Sequence, residues 1–237
     1  MLKGKRVVVL GGTAGIGRAV AEQAAAEGAR VVVVSSSAAR VAEVTSHIAG
    51  AEGHAVDLRS EERVRDLFQR IGALDHLVYT AGEELMMGRL VDLDLTAARK
   101  FFELRYWGAL SAVRSASPHL ARDGSIVLTS GTAGRRPHPG LAIAASICGA
   151  MEALVRTLAV ELAPIRVNVV TPGFVDTGLW SNVEEGARRK MFEDAAARLP
   201  VGRIGKPADI AEHYLSFLRG GYVTGQALVV DGGATLV

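Results

Sequence analysis

A glycine-rich segment near the start of the chain has the residue types and spacing of a phosphate-binding turn. Its glycines are Gly11, Gly12, Gly15 and Gly17, and they follow the apolar run Val7–Leu10. Glycine lets the backbone turn tightly and approach a pyrophosphate, while the N-terminus of the next helix supplies N–H donors. A tight turn without a ligand is the alternative, but the position between a first strand and a first helix favours dinucleotide binding. No Gly-Lys-Ser/Thr sequence is present, which excludes a nucleotide-triphosphate P-loop.

The end of the second apolar run, Val31–Val34, indicates which dinucleotide would bind. An NAD site normally carries a carboxylate here that bonds the ribose hydroxyls. This chain has Ser35-Ser36-Ser37 instead, the next acid is Glu43, and Arg18 and Arg40 are near in sequence. Because hydroxyls and arginines suit a 2′-phosphate, the pattern predicts NADP(H) in preference to NAD(H). Alternatively the serines cap the next helix, and both roles can coexist.

These candidate residues must be positioned by elements that alternate along the chain. The predicted strands are Val7–Leu10, Val31–Val34, His54–Val56, Leu74–Tyr79, Ser125–Thr129, Arg166–Val170 and Ala227–Val230. The predicted helices are Ile16–Glu27, Ala38–Ala49, Glu61–Ile71, Leu95–Leu120, Leu141–Leu162, Ser181–Arg198 and Ala208–Arg219. The alternation predicts an α/β fold, a Rossmann-like doubly wound parallel sheet of seven strands with helices on both faces. Without a linker or repeat, residues 1–237 are expected to form one domain whose ligands lie at the carboxyl ends of the strands.

Composition narrows the functional classes. The 237 residues carry a net charge of +2, which is too small for an electrostatic nucleic-acid binder. The single cysteine, Cys148, excludes an internal disulfide framework and any cysteine-cluster metal site. The histidines lack metal-ligand spacing, so no metal is expected. No uninterrupted apolar run approaches the roughly 20 residues of a membrane span, and a cytoplasmic location is therefore expected.

Further segments match, in order, the motifs of one enzyme family. Asp57 follows the third predicted strand, and Thr80-Ala81-Gly82 follows the fourth. The later segments are Arg166-Val167-Asn168, Thr171–Thr177, Gly202–Pro207 and Thr224–Gly233. With the glycine turn, they make the whole chain resemble the short-chain dehydrogenase/reductase family. In that resemblance Asp57 would contact the adenine, and Thr80 stands where the family has Asn.

The resemblance implies a cofactor, a reaction and an assembly. The reaction is reversible hydride transfer between NAD(P)(H) and a carbonyl or alcohol. The implied cofactor-binding residues are Gly11, Thr13, Gly15, Ile16, Gly17, Arg18, Ser35, Ser36, Ser37, Arg40, Asp57, Leu58, Ala81, Gly82, Pro172, Gly173, Val175 and Thr177. Family members are commonly homodimers or homotetramers built through the two long helices. The small residues Gly108, Ala109, Gly149, Ala150 and Ala153 would permit such packing, or could serve packing within the chain.

The catalytic set of the family is replaced at all four positions. The family uses a Tyr as general acid, a Lys four residues later, a Ser from the fifth strand and an Asn on the first long helix. The matching residues here are Ile143, Ile147, Gly131 and Arg105. No Tyr or Lys occurs between positions 107 and 190, so a shifted alignment does not restore them. Loss of a general acid typically costs about 10²–10⁴-fold in rate.

Three residues are candidates to act in place of the missing set. Arg105 brings a cation into the cleft, where it would bind an anionic ligand group or the cofactor, or would form a structural salt bridge to Glu83 or Glu84. Ser130 precedes the lost serine position and could simply pair with backbone. His138 could titrate near neutral pH, although a solvated loop histidine is the more common situation.

Two functional hypotheses follow, with a third kept open. The first is an NADP(H)-dependent oxidoreductase that acts on an unknown carbonyl or alcohol by an atypical mechanism. The second is a non-catalytic NADP(H)-binding protein that acts as a sensor or assembly partner. Lyase or isomerase chemistry also remains, since a fold does not fix a function. A small-molecule ligand, with an anionic group as one option, would be selected by a lid at about residues 179–199.

Overall fold

The sheet is built from apolar strands that bury both faces. The structure, a computed structural model, describes residues 1–237. The strands are β1 Arg6–Leu10, β2 Arg30–Ser35, β3 Glu52–Ala55, β4 Leu74–Tyr79, β5 Leu120–Thr129, β6 Arg166–Pro172 and β7 Ala227–Val230. They form one parallel sheet in the order β3-β2-β1-β4-β5-β6-β7. The order reverses between β1 and β4, which creates a crevice at the carboxyl ends of those strands.

The helices cover both faces of this sheet. They are α1 Gly15–Ala26, α2 Ala38–His47, α3 Glu61–Ile71, α4 Leu95–Phe102, α5 Gly108–Ala116, α6 Ala142–Glu161, α7 Glu185–Arg198 and α8 Pro207–Arg219. Helices α3, α4, α5 and α6 pack on one face and α1, α2 and α8 on the other. Successive strand residues point to opposite faces, so Val8 joins the first core and Val9 the second. The predicted fold class, a doubly wound seven-stranded parallel sheet, is confirmed.

The first predicted long helix is wrong as a continuous element. Between α4 and α5 the backbone makes a π-helical turn, Glu103–Trp107, and a short 3₁₀ segment, Ser117–His119, precedes β5. The turn leaves the Leu104 carbonyl free to accept a hydrogen bond from the Tyr79 hydroxyl at 2.5 Å. An extra residue in a helical turn shifts the faces of the helix, and such bulges often occur at functional sites. Arg105 lies within this turn.

Other predicted elements differ from the structure in their bounds. Strand β3 spans Glu52–Ala55 rather than His54–Val56, and β5 begins at Leu120 rather than at Ser125. The charged helix predicted to begin at Ser181 begins at Glu185, after a 3₁₀ segment at Gly178–Trp180. Helix α6 has the length and the mean hydropathy, 1.6, of a membrane-crossing helix, which the sequence analysis did not anticipate. By length and composition alone it passes that test. It also packs buried residues such as Met151 and Val155 against the sheet, as a core helix does.

Candidate cofactor cleft and inner pocket

A cleft of about 700 Å³ lies at the carboxyl edge of the sheet, where the strand order reverses. Its walls come from the loops that follow β1 to β6. The volume falls within the roughly 300–1,000 Å³ typical of small-molecule sites. The position and size are those expected for a dinucleotide at a topological switch point.

The glycine turn forms one end of the cleft. Gly11 has φ +87°, a left-handed conformation that favours glycine, and a Cβ there would lie 2.6 Å from the Ala81 nitrogen. A Cβ on Gly17 would lie 2.3 Å from the Gly11 oxygen. Helix α1 begins beside this turn with Ala14 as N-cap, without a side-chain cap and without an acid in its first turn. Its N–H groups therefore remain available to an anion.

The end of β2 presents hydroxyls and an arginine to the cleft. Ser35, Ser36 and Arg40 line it, whereas Ser37 caps α2 by accepting a hydrogen bond from the Arg40 nitrogen at 3.4 Å. Arg18 lies outside the lining, where it pairs with Glu22 at 2.8 Å and with Glu43 at 3.2 Å. All the predicted cofactor-binding residues except Arg18 and Ser37 line the cleft.

Sequence reasoning missed a chain of ion pairs along this wall. Asp57 accepts hydrogen bonds from the Arg59 backbone nitrogen at 3.1 Å and from its guanidinium at 3.4 Å. Arg59 Nη2 also donates to Glu83 Oε1 at 2.7 Å. Both Arg59 and Glu83 line the cleft. The Asp-x-Arg sequence after β3 could have indicated the pair of Asp57 and Arg59. The contact with Glu83 could not be found from the sequence, because the fold brings Glu83 from the loop after β4.

A smaller inner pocket of about 180 Å³ adjoins the cleft beyond the end of β4. Its walls are mostly hydrophobic. The residues that set its character are Tyr79, Phe101, Arg105, Ile147, Cys148, Phe174 and Trp180. Arg105 is the only charged side chain in this lining, which contains no acid, histidine or lysine. The pocket is therefore apolar with a single cation.

The positions that match the family's catalytic set, and the candidate substitutes, do not all line the inner pocket. Gly131 and Ile147 line the inner pocket, but Ile143 packs against the core and is outside the lining. The Ser130 hydroxyl donates to the Cys148 carbonyl at 3.1 Å, so it pairs with backbone. His138 is exposed and lines neither cavity, and its Nδ1 lies 2.7 Å from the Pro139 carbonyl. Burial raises the pKa of the Cys148 thiol, which keeps it protonated near neutral pH.

Arg105 lies where the cleft meets the inner pocket and lines both. Its Nη2 donates to the Glu83 carbonyl, and its Nε lies 3.7 Å from Glu83 Oε2. The guanidinium sits 4.4 Å from the centre of the Phe101 ring. A Cβ on Gly82 would lie 2.8 Å from Cζ, so the glycine makes room for it. Burial lowers the pKa of Arg105, but a guanidinium remains charged in proteins.

The arginine thus has the predicted salt-bridge partner and also faces the cavity. Glu83, one of the two acids expected as a structural alternative, is its only acidic neighbour within 4.0 Å. Glu84 instead accepts a hydrogen bond from Ser181 at 2.7 Å. No group of three or more His, Cys, Asp or Glu side chains is close enough to hold a metal ion.

Comparisons with known proteins cover nearly the whole chain. A family model described as enoyl-(acyl carrier protein) reductase matches residues 11–235. A short-chain dehydrogenase/reductase from Stachybotrys chlorohalonatus is 35% identical over 99% of this chain and 98% of its own length. A small-chain dehydrogenase crystallised in complex with NADPH is 36% identical, with a TM-score of 0.88 over 99% of this chain and 100% of that one. The MalC reductase/Diels-Alderase from Malbranchea aurantiaca is 28% identical, with a TM-score of 0.92 over 100% and 98%.

Proposed function

The chain belongs to the short-chain dehydrogenase/reductase family of oxidoreductases, and we propose on that premise that it uses NADP(H) on a carbonyl or alcohol substrate without the usual tyrosine acid. The observation that carries the proposal is the cleft. It is lined by the glycine turn, by the uncapped N-terminus of α1, and by serines and an arginine at the end of β2. The inner pocket at its other end would receive the substrate.

The residues of the cleft fit a nicotinamide dinucleotide. The glycine turn and the free N–H groups of α1 would hold the pyrophosphate. By resemblance, Asp57 would contact the adenine, and Pro172 and Gly173, which line both cavities, would flank the nicotinamide. When bound, the cofactor would supply reversible transfer of a hydride to the substrate carbon. The chain itself would bind, orient and exclude water.

The preference for NADP(H) rests on charge at the end of β2. Ser35, Ser36 and Arg40 line this part of the cleft, and no residue from β2 or its loop supplies a carboxylate there. A carboxylate would repel a 2′-phosphate and would favour NAD(H), whereas hydroxyls and a guanidinium bond a phosphate. The NADPH complex of the small-chain dehydrogenase described above supports the same cofactor for this chain.

The inner pocket offers no ordinary proton donor. Tyr79 lines it, but the tyrosine hydroxyl donates to the Leu104 carbonyl, and burial raises its pKa. Ile147 occupies the place of the lysine that the family uses, and arginine is a poor acid because its pKa exceeds about 12. Under the proposal, Arg105 stabilises negative charge on the substrate while a proton comes from water or from the substrate itself.

Titration of the purified protein with NADPH and NADH, followed by a scan of carbonyl compounds for loss of NADPH absorbance, tests the proposal. We expect NADPH to bind and generic ketones or keto esters to turn over poorly, about 10²–10⁴-fold below an enzyme with a general acid. Brisk reduction of simple ketones would show that an acid had been missed. NADPH binding without turnover of any carbonyl would favour the non-catalytic sensor or assembly partner. Failure to bind either cofactor would refute the proposal.

We further propose that the chain assembles as a homodimer or homotetramer through α4, α5 and α6. On α6, Gly149 and Ala153 are exposed and Val160 is 81% exposed, although the helix is apolar. Gly108 and Ala109 are buried inside the chain, so those two serve internal packing. Placing a charge on the exposed face, as in Ala153→Arg, should yield monomers by analytical ultracentrifugation. An unchanged sedimentation coefficient would contradict this assembly.

A further inference from the structure

Arg105 has hydrogen-bonding capacity that the chain does not use. One of its N–H groups donates to the Glu83 carbonyl, and its buried Nε has no acceptor. The nearest carboxylate, Glu83, is engaged through Oε1 with Arg59 at 2.7 Å. The bond to the Glu83 carbonyl is the only hydrogen bond that the guanidinium makes, so Nη1 also has no acceptor in the chain. The guanidinium therefore lines the pocket beside a carboxylate that it shares with Arg59, and several of its donors stay open.

The open edge of Arg105 offers several donors to an anionic oxygen. The Glu83 carbonyl takes one N–H group of Nη2, and Nε is buried beside Glu83 Oε2. Both N–H groups of Nη1 and the second N–H group of Nη2 remain, because arginine has five donors. The carbonyl or alcohol substrate of the proposed function would supply an alcohol-type oxygen to them.

The walls of the pocket select the shape of the ligand. Phe101, Phe174 and Trp180 line it. The Trp180 ring stacks on Phe174 with 5.4 Å between centroids and 7° between planes. Its Nε1 donates to the Val175 carbonyl at 3.0 Å, so the indole offers the pocket only apolar surface. Aromatic walls of this kind favour a flat conjugated ligand.

The ligand oxygen must be acidic enough to lose its proton beside Arg105. An aliphatic alcohol is about as weak an acid as water and would not ionise in this pocket near neutral pH. A phenol has a pKa of about 10, within reach of one adjacent cation. No acidic side chain lines the pocket to oppose the anion. Among ligands with an alcohol-type oxygen, flat phenols and enols are therefore the class that Arg105 can hold ionised.

We propose that the inner pocket binds a flat, conjugated phenol or enol as its anion, with Arg105 as the counter-ion. The inference rests on the proposed function in taking this pocket as the substrate end of the cleft and its ligand as a carbonyl or alcohol. The proton released on binding goes to solvent. The bound ligand would then be held by one charge-assisted hydrogen bond and by aromatic contact.

The test uses para-nitrophenol, whose absorbance separates the phenol from the phenolate. The dye is titrated against the purified full chain across a pH series, without cofactor. We expect its apparent pKa to fall by about one unit on binding, a tenfold preference for the anion. The same preference should persist in Arg99→Leu, which removes an exposed arginine from α4. It should disappear in Arg105→Leu and in the neutral, polar Arg105→Gln, and Arg105→Lys should retain part of it.

Three results with the dye alone would overturn the inference. The first is no saturable binding of the dye, and the second is a bound dye with an unchanged pKa. The third is a preference for the phenolate that survives in Arg105→Leu or in Arg105→Gln, whichever of the two folds. Benzoate, a flat carboxylate, is the competitor, and displacement of the dye by benzoate more readily than by phenol would show that the pocket selects a carboxylate and would likewise reject the inference. NADPH binding is measured on the same samples by quenching of protein fluorescence. NADPH binding without dye binding rejects this inference alone, and dye binding without NADPH binding rejects the proposed function alone.

Discussion

The outer cleft and the inner pocket share one edge of the sheet and several lining residues, but different groups set their chemistry. Away from the inner pocket, the cleft has a glycine turn, a helix N-terminus and the end of β2. The inner pocket is built from side chains that come from β4, the π-helical turn, α6 and the segment after β6. Under the proposed function, the cleft binds the dinucleotide, whereas the pocket works without the tyrosine acid that the family uses.

From this difference we expect cofactor binding and proton transfer to be separable in this chain. A backbone site depends on glycine positions and helix placement, which side-chain changes elsewhere leave intact. A site made of side chains changes its chemistry when a few residues change, as Arg105 and Ile147 illustrate. Variants that damage one region should therefore spare the other, and each prediction below tests that separation.

The largest expected effect comes from the glycine turn. Gly17→Ala places a Cβ 2.3 Å from the Gly11 carbonyl oxygen, and a backbone atom cannot move aside cheaply. We expect NADPH affinity to fall on the order of 100-fold, about 3 kcal/mol, while dye binding in the inner pocket changes little. Isothermal titration calorimetry measures both. Gly178→Ala is the matched control, because Gly178 also lines the cleft but has no atom within 4 Å of its Cβ position. Equal losses in both variants would contradict the explanation.

The next effect concerns the π-helical turn that carries Arg105. Tyr79→Phe removes the hydroxyl that donates to the Leu104 carbonyl and leaves that carbonyl without its partner. The free energy of unfolding should fall by about 1–2 kcal/mol in denaturant titrations, with NADPH affinity unchanged. Tyr222→Phe, at a fully exposed tyrosine, should have no effect. A loss of NADPH affinity equal to that of Gly17→Ala would show that the two regions are not separable.

The smallest effect probes the charge around Arg105. Glu83→Gln removes the one carboxylate close to the guanidinium, at 3.7 Å. The phenolate preference of the inner pocket should increase several-fold, because the cation loses its partial counter-charge. Glu84→Gln is the control, since Glu84 bonds Ser181 rather than Arg105. The dye titration measures the change, and a weaker preference in Glu83→Gln would mean that the carboxylate positions the arginine rather than competes with the ligand.

Much of the fold could be predicted from the sequence because its signals are local. The alternation of apolar runs and helical stretches gave β4, α3 and β7 their observed bounds. The π-helical turn could not be predicted, since the Leu104 carbonyl that it frees is bonded by Tyr79, 25 residues away. Side-chain periodicity carries no trace of such a partner.

The candidate site also has a part that could be predicted from the sequence and a part that could not. Residues of the cleft that follow strands were predicted, because parallel strands bring their carboxyl ends together. Arg18 was predicted to bind the cofactor because it is near the glycine turn in sequence. It pairs instead with Glu22 and Glu43 on the surface of the helices. Arg59 was missed because its role depends on Glu83 from another loop. Contacts between distant segments are the part that local sequence patterns do not contain.

The most direct test of the account is the ratio of the dissociation constants for NADPH and NADH, measured for the wild-type chain and for Ser36→Asp. The account predicts that the wild type binds NADPH at least about tenfold tighter, or 1.4 kcal/mol, and that the added carboxylate beside Ser35 and Arg40 reverses the order. Equal affinities in the wild type, or a preference for NADH, would contradict it.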